Sequence, residues 1–365
     1  MLALAVLRHF VPIAADRHAA PPAFVRLGAV VEPQCAFRVF AHAHELEIAF
    51  RQQVGRGFGQ RGEALFDGIG GAQAIYARGV AKSLPIRPRT AHKHSVGKVL
   101  LVAGSLGYTG AAIMTAQAAM RAGAGAVILC APRSLYNVLS RRMTEVMVMP
   151  VAESPQGTLC SDSLPEIVPH LAWADVVVAG PGLGLGAELQ FFLASLVRRW
   201  EGRLLLDADA LTLASRDLRM LRRSPSETVL TPHVGEFSRL AAMDARKVER
   251  MRLTAPKEFA RRHRVTIALK GAPTVVAGPD GPCYLNATGN PGMATAGAGD
   301  VLTGLLAGLW AQGMSALDAT CAAVYLHGAA GDIAGERFGE RGLLATDILE
   351  AIPQALRSVE TAGGA

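Results

Sequence analysis

From residue 98 onward the chain alternates short apolar runs with longer segments of helical period. KVLLVAG (98–104), AVILCAP (126–132), DVVVAG (175–180) and VTIALKG (265–271) are almost continuously apolar and end in small residues. Such runs read as strands buried on both faces, because a strand with one wet face alternates apolar and polar positions. VMVMPV (146–151), RLLLDADAL (203–211) and the start of TVLTPHVGEFSRL (228–240) read as further strands, the second ending in two carboxylates. Between them AAIMTAQAAMRAGAG (111–125), SLPEIVPHLAWA (163–174) and a segment running to about residue 199 read as helices. A polar helical region reaches residue 263, and PTVVAGPDGPCYLN (273–286) reads as a hairpin with its turn at 278–281. Helices at about 300–312, 315–334 and 345–356 close the pattern. Alternating strands and helices predict a mostly parallel central sheet covered on both sides, a three-layer α/β/α sandwich.

Residues 1–85 keep neither period for long; they hold Pro pairs, scattered His and GRGFGQRG at 55–62. The expectation is a poorly ordered N-terminal extension of unknown role over 1–85 and one folded domain over 86–360. The net charge of +7 is concentrated at this end, with eleven Arg/Lys against six Asp/Glu in residues 1–92. The arm has no motif, aromatic interleaving or periodic stripe, so nucleic acid is not an expected partner. It has no Ser before Ser83, against a transit peptide, and MLALAVL is short for a signal core. No apolar run reaches the roughly 18–20 residues of a membrane span. Cys35, Cys130, Cys160, Cys283 and Cys321 lie far apart without a CxxC pair, which points to a reducing, cytoplasmic setting.

In an open parallel sheet, ligands bind beyond the carboxyl ends of the strands. The Gly-rich or polar segments 104–110, 180–186, 207–209, 231–236 and 270–274 all fall there. Singly each is weak: PGLG is commonly a tight turn, and His233 or Asp207 can simply cap a helix. Lys270 behind a buried strand needs an anionic partner, for which a nucleotide phosphate is suited. The strongest stretch is NATGNPGMATAGAGDVLTGLLAGL (286–309). Gly297, Ala298 and Gly299 leave the backbone bare, and a helix beginning near Asp300 adds free N–H groups and a positive dipole end. Asp300 is then either a helix N-cap or a base held beside a phosphate. The Walker pattern, a strand-borne GxGxxG, a GxSxG elbow and metal-ligand clusters are absent. HKH at 92–94 precedes the first long strand and reads as structural or as an edge of the site.

These segments together carry a resemblance. RPRTAHKHSVGKVLLVAGSLGYTGAA, MRAGAGAV, VVVAGPGLG, LLLDADAL, LTPHVGEFSRL, ALKGAPTVVAGPDG and NATGNPGMATAGAGDVLTGLLAGL stand in order over about residues 84–357. The chain resembles the ribokinase-like superfamily and, within it, the ADP-dependent NAD(P)H-hydrate dehydratases. GAGD alone implies only the superfamily; LTPHVGEF, KGAPT and NATGNPGMA point to the dehydratases.

The resemblance implies repair of NADH or NADPH hydrated at C6 of the nicotinamide ring. The ring hydroxyl is phosphorylated by ADP, giving AMP, and phosphate is then eliminated. By the same resemblance Asp300 is the general base, and Gly297, Ala298 and Gly299 form the anion loop. Lys270, Gly271, Ala272, Pro273 and Thr274, with Gly299, hold ADP or AMP. Ala111, Gly182, Gly184 and His233, with Asp300, contact the hydrated dinucleotide. Asp207 and Asn286 are expected to add to the pocket, Mg2+ to accompany the nucleotide, and the protein to form a homo-oligomer, often a tetramer. Two features depart from the family: Ala298 stands where a Thr is usual, and HKHSVGK replaces an HKG-type entry. Residues 1–85 show no recognisable epimerase pattern, so no epimerase activity is expected. A vitamin or sugar kinase of the same fold shares the anion loop, and a non-catalytic nucleotide-binding module is a further alternative.

Overall fold

Val99 and Leu101 pack into one hydrophobic layer and Leu100 and Val102 into another, so the strand 98–102 is buried on both faces. The computed structural model describes residues 72–363, except 94, 223 and 225. Ten strands form one sheet among these residues. They are β1 (Ala72–Ala74), β2 (Lys98–Val102), β3 (Ala126–Pro132), β4 (Met147–Val151) and β5 (Val176–Ala179), then β6 (Arg203–Leu206), β7 (Glu227–Leu230), β8 (Thr266–Leu269), β9 (Thr274–Ala277) and β10 (Cys283–Asn286). The order is β1-β10-β9-β8-β7-β6-β5-β2-β3-β4. Only β9 runs against its neighbours, as the arm of the expected β9–β10 hairpin.

The helices divide between the faces. Thirteen are described: α1 (Ala77–Ser83), α2 (Thr109–Arg121), α3 (Tyr136–Arg142), α4 (Ser163–Leu171), α5 (Ala187–Arg199), α6 (Asp209–Arg216), α7 (Arg219–Arg222), α8 (Val234–Ala241), α9 (Ala245–Arg250), α10 (Thr254–His263), α11 (Ala298–Ala311), α12 (Ala316–Phe338) and α13 (Ala345–Gly363). Residues of α1–α3 and α11–α13 share a core with Val99, Leu101, Val178 and Leu205. Residues of α4–α10 share the other with Leu100, Val102, Val177 and Leu206. This is the expected three-layer sandwich.

Two elements lie inside the expected extension. β1 pairs parallel with β10, Ala72 opposite Cys283, and α1 buries Val80 in the core. The boundary expected at residue 86 therefore falls too late; a three-residue strand carries too little period to be read from sequence. The remainder of the expected extension, up to Gly71, lies outside the described residues.

Three boundaries also move near the carboxyl ends. The strand read in RLLLDADAL stops at Leu206, and Asp209 already opens α6. α2 starts at Thr109, two residues before the expected position. α11 starts at Ala298, because Gly297 takes the cap position at φ 92°, a conformation that costs glycine little. α11 then crosses α2 closely through two glycines. A Cβ on Gly304 would stand 2.1 Å from the Thr115 carbonyl oxygen, and one on Gly308 2.4 Å from that of Ala119.

Candidate active site

β3 lies on one side of β2 and β5 on the other, so the chain switches direction at β2–β5 and a crevice opens there. The loops beyond the two strands are tied together. Gly104 N donates to the Pro181 carbonyl at 2.9 Å, and Ser105 Oγ to the Gly182 carbonyl at 2.7 Å. A Cβ on Gly182 would meet the Tyr108 carbonyl at 2.8 Å and Ala111 Cβ at 3.3 Å. Ala111 and Gly182 therefore do meet, with Gly182 buried in the contact. Gly184 donates its N–H to Asp209 Oδ2 at 2.8 Å. Leu106, Tyr108 and Leu185, exposed on these same loops, form an apolar rim.

Toward the hairpin, the strand ends converge on Asp207. This carboxylate is 1% exposed and accepts three bonds. Its donors are Thr231 Oγ1 at 2.8 Å, Lys270 Nζ at 3.0 Å and Thr303 Oγ1 at 2.7 Å. Lys270 thus has a protein partner where sequence reasoning looked to a nucleotide phosphate. Burial pushes its ammonium toward losing a proton, but Asp207 and Glu236 more than offset this and hold it above its usual value. Glu236 Oε2 lies 3.9 Å from the same nitrogen.

The pairing of β7 with β8 continues past both strands, setting His233 beside Lys270. Lys270 N donates to the Pro232 carbonyl at 2.8 Å. His233 caps α8: its Nδ1 accepts from Gly235 N at 3.0 Å, while Glu236 Oε2 accepts from His233 N at 2.8 Å. This is a capping box, with His in place of Ser or Thr. The side chain stays 56% exposed, and its Nε2 lies 3.4 Å from Glu236 Oε1. Burial, then the charges of Lys270 and Arg239, lower its pKa and favour the neutral ring.

Asp300 occupies the third position of α11, which removes its reading as an N-cap. Burial and then the charge of Asp207 push its carboxyl up to about 7, with Lys270 opposing. Glu236 is likewise pushed up to about 7, first by burial. The first-turn N–H groups of Gly299 and Asp300 have no carbonyl within the helix to bond. A Cβ on Gly299 would stand 3.3 Å from Lys270 Nζ. Behind the loop, buried His327 shares a hydrogen bond with the Ala298 backbone, and burial lowers its pKa to about 4. A carboxyl titrating near neutrality, an ammonium and free N–H donors suit proton abstraction beside a transferring anion.

The 270–274 loop is held from behind by Arg252. Its Nε donates to the Pro273 carbonyl and its Nη2 to that of Lys270, both at 2.9 Å, while Nη1 donates to Glu249 at 2.7 Å. Gly271 and Ala272 are left exposed, and Thr274 Oγ1 donates to the Gly271 carbonyl at 3.0 Å. Sequence reasoning missed Arg252, which sits in a polar helical region without a motif. It also missed Glu236, although the His-x-x-Glu spacing of a capping box was visible, and Thr303, one helical turn past Asp300.

Asn286 is a correction. Its amide nitrogen donates to the carbonyls of Val324 at 3.0 Å and Thr288 at 3.2 Å, and its oxygen accepts from Thr288 Oγ1 at 3.0 Å. The side chain is spent anchoring the loop that precedes α11, not lining the pocket. The segment around His92 and Lys93 is also remote: the Lys93 carbonyl packs on Gly125 at the amino end of β3, and His94 lies outside the described residues. Among the described residues no group of three or more His, Cys, Asp or Glu could hold a metal. Two shallow cavities, one beside Leu164 and Arg199 and one beside Glu227 and Arg264, contain none of the candidate residues.

A mostly parallel sandwich with lysine, carboxylate and helix N-terminus converging beyond the strand ends defines a ribokinase-like protein. The sequence profile of NAD(P)H-hydrate dehydratase matches residues 99–354, and the chain belongs to that family. A bifunctional NAD(P)H-hydrate repair enzyme from Moorella thermoacetica is 39% identical over 338 residues, covering 93% of this chain and 62% of that protein. The enzyme of the same name from Escherichia coli is 39% identical over 303 residues, covering 80% of this chain and 55% of that protein. The chain thus spans little more than half the length of these relatives. An ADP/ATP-dependent NAD(P)H-hydrate dehydratase from Bacillus subtilis, co-crystallised with ATP/Mg2+, superposes with a TM-score of 0.69 at 27% identity, covering 80% of this chain and all of that one. The Moorella match is longer than residues 98–365, so it reaches well into the N-terminal region.

Proposed function

We propose that the chain dehydrates hydrated NADH and NADPH at the expense of a nucleoside di- or triphosphate, with ADP as donor and AMP as product. The observation that carries this reading is Asp300, titrating near 7 on the first turn of α11 beside the Lys270 ammonium. The ring hydroxyl at C6 attacks the terminal phosphorus while its proton passes to Asp300, and the bond from that phosphorus to the bridging oxygen breaks. The Gly299 and Asp300 N–H groups and Lys270 meet the charge spread over the phosphoryl oxygens. The C6–O bond then breaks, a proton leaves C5, and the ring double bond returns with loss of phosphate.

Ala111, Gly182, Gly184 and His233 surround the dinucleotide in this reading. The bond from Gly184 N to Asp209 means that this glycine contributes loop shape instead of a free donor. Residues 270–274 hold the nucleotide, braced by Arg252. The donor set fits a Mg2+ ion carried by the phosphates and water, because Asp207, Asp209 and Glu236 already accept protein hydrogen bonds. Asp300 is the remaining carboxylate that would face such an ion through its water. Mg2+ would supply charge neutralisation on the phosphoryl oxygens.

A homo-oligomer, expected as a tetramer, and a cytoplasmic setting complete the proposal; the four described cysteines, all free thiols, support a reducing environment. The test is to incubate purified protein with hydrated NADH and either ADP or ATP, and to follow NADH absorbance. Recovery with ADP supports the reading, and no recovery with either nucleotide sinks it. Accumulation of a stable phosphate ester from a vitamin alcohol would favour the kinase alternative instead.

A further inference from the structure

Asp207 and Asp209 flank Ala208, whose backbone (φ 49°, ψ −118°) lies outside the regions that L-residues ordinarily adopt. Strain of this kind persists only where the surroundings enforce it, and it gathers at functional sites. Gly180 is one such surrounding: a Cβ there would stand 1.8 Å from the Asp207 carbonyl oxygen, so only glycine admits the turn.

The two carboxylates serve opposite neighbours of β6. Asp207 reaches across β7 to β8 and up to α11, bonding Thr231, Lys270 and Thr303. Asp209 reaches back to the loop after β5, bonding Gly184 N. Every one of these partners belongs to an element that faces the proposed ligands. An ammonium has three protons, and spending one on Asp207 aims the others away from that carboxylate. Thr303 stands three residues after Asp300, so its bond to Asp207 also sets the rotation of the first turns of α11. A buried ion pair is a poor means of stabilising a fold, since apolar residues of equal volume commonly do as well or better.

We propose that the Asp207-Ala208-Asp209 turn is a positioning element for both substrates. Asp207 holds Lys270 and α11 in register for the nucleotide, and Asp209 holds the 181–186 loop in register for the dinucleotide. The proposal rests on the dehydratase reading above and predicts different signatures for its two arms.

Asp207→Asn keeps the side-chain size but removes the charge that aims Lys270. We expect kcat to fall roughly tenfold or more and the Kd for ADP, measured by calorimetry, to rise about fivefold. The acid limb of its kcat profile should move to lower pH, because the charge of Asp207 helps keep the proton on Asp300. Asp209→Asn should raise the KM for the hydrated dinucleotide about tenfold more than it lowers kcat. Thr303→Val retains the Asp207–Lys270 pair and cuts only the tie to α11. It should lower kcat several-fold and raise the Kd for ADP less than Asp207→Asn does, and it serves if Asp207→Asn does not fold. Folded variants whose kcat, KM values, Kd and pH limb all match the parent overturn the proposal. A parent protein inactive with either nucleotide overturns the functional reading instead. In that case an unchanged Kd for ADP in Asp207→Asn removes the positioning role independently.

Discussion

Gly299 and Lys270 meet across the start of α11, where a Cβ on the glycine would stand 3.3 Å from the lysine Nζ. The space that glycine leaves open is the space between an ammonium and the free N–H groups of a helix. Gly299 lies within the helix and not in the left-handed region, so alanine suits its backbone and should improve helix propensity by up to about 1 kcal/mol. Gly299→Ala should therefore keep or raise the melting temperature while raising the KM for the nucleotide several-fold. A variant with lowered stability and unaltered KM would contradict this division.

Asp300 and Glu236 both titrate near 7, well above ordinary carboxyls, with burial as the largest cause. Because the base must be ionised, kcat should rise with pH through about 7. The two groups influence one another, so the apparent values belong to the pair. The stability effect has the opposite sense. Between the unfolded carboxyl range and pH 7 the native state holds protons that the unfolded chain releases, so these groups favour folding at low pH and cost stability as pH rises. Asp300→Asn removes one such burden. Its melting temperature relative to the parent should be higher at pH 8 than at pH 5, and turnover should be lost. Equal differences at the two pH values would show that Asp300 ionises normally.

Lys270 is the cation nearest Asp207, whose carboxylate is 1% exposed. Removing one partner of a buried pair strands the other and costs about 3–5 kcal/mol. Lys270→Ala should lower the melting temperature as well as weaken nucleotide binding. Lys270→Ala combined with Asp207→Asn should recover part of the lost stability but none of the nucleotide affinity. Denaturant melts of the single and double variants, with calorimetry on ADP, separate the two effects.

The crossing of α2 and α11 leaves no room at Gly304, where a Cβ would stand 2.1 Å from the Thr115 carbonyl oxygen. Gly304→Val should destabilise the protein by about 1–3 kcal/mol through overpacking. It should also depress kcat, because the clash falls one helical turn after Asp300 on α11. A denaturant melt and a steady-state assay on the same preparation check both.

Much of this site is visible along the chain. The buried strands announce themselves as apolar runs, and the 286–309 stretch announces bare backbone, a carboxylate and a helix start within one window. Local chemistry decides such features, because a strand's burial and a helix's cap depend on residues a few positions apart. The resemblance adds the lysine loop and the histidine in the same way, segment by segment. Even so, the reading placed the start of α11 two residues late, and that error kept Asp300 open as a cap. Gly297 at φ 92° settled the question, through a backbone state that glycine permits but does not require.

The partners of Asp207 were of another kind. Thr231, Lys270 and Thr303 lie 24, 63 and 96 residues away along the chain. Which of them meets the carboxylate depends on β6, β7 and β8 becoming neighbours and on α11 returning over β2 and α2. Arg252 beneath the 270–274 loop and Asn286 turned into its own loop were decided in the same way. Patterning along the chain specifies what each segment is, because burial and backbone preference act locally. Partner choice among polar side chains waits for the sheet order, because a buried charge is satisfied by whatever the fold brings within 3 Å of it, on the order of one hydrogen-bond length.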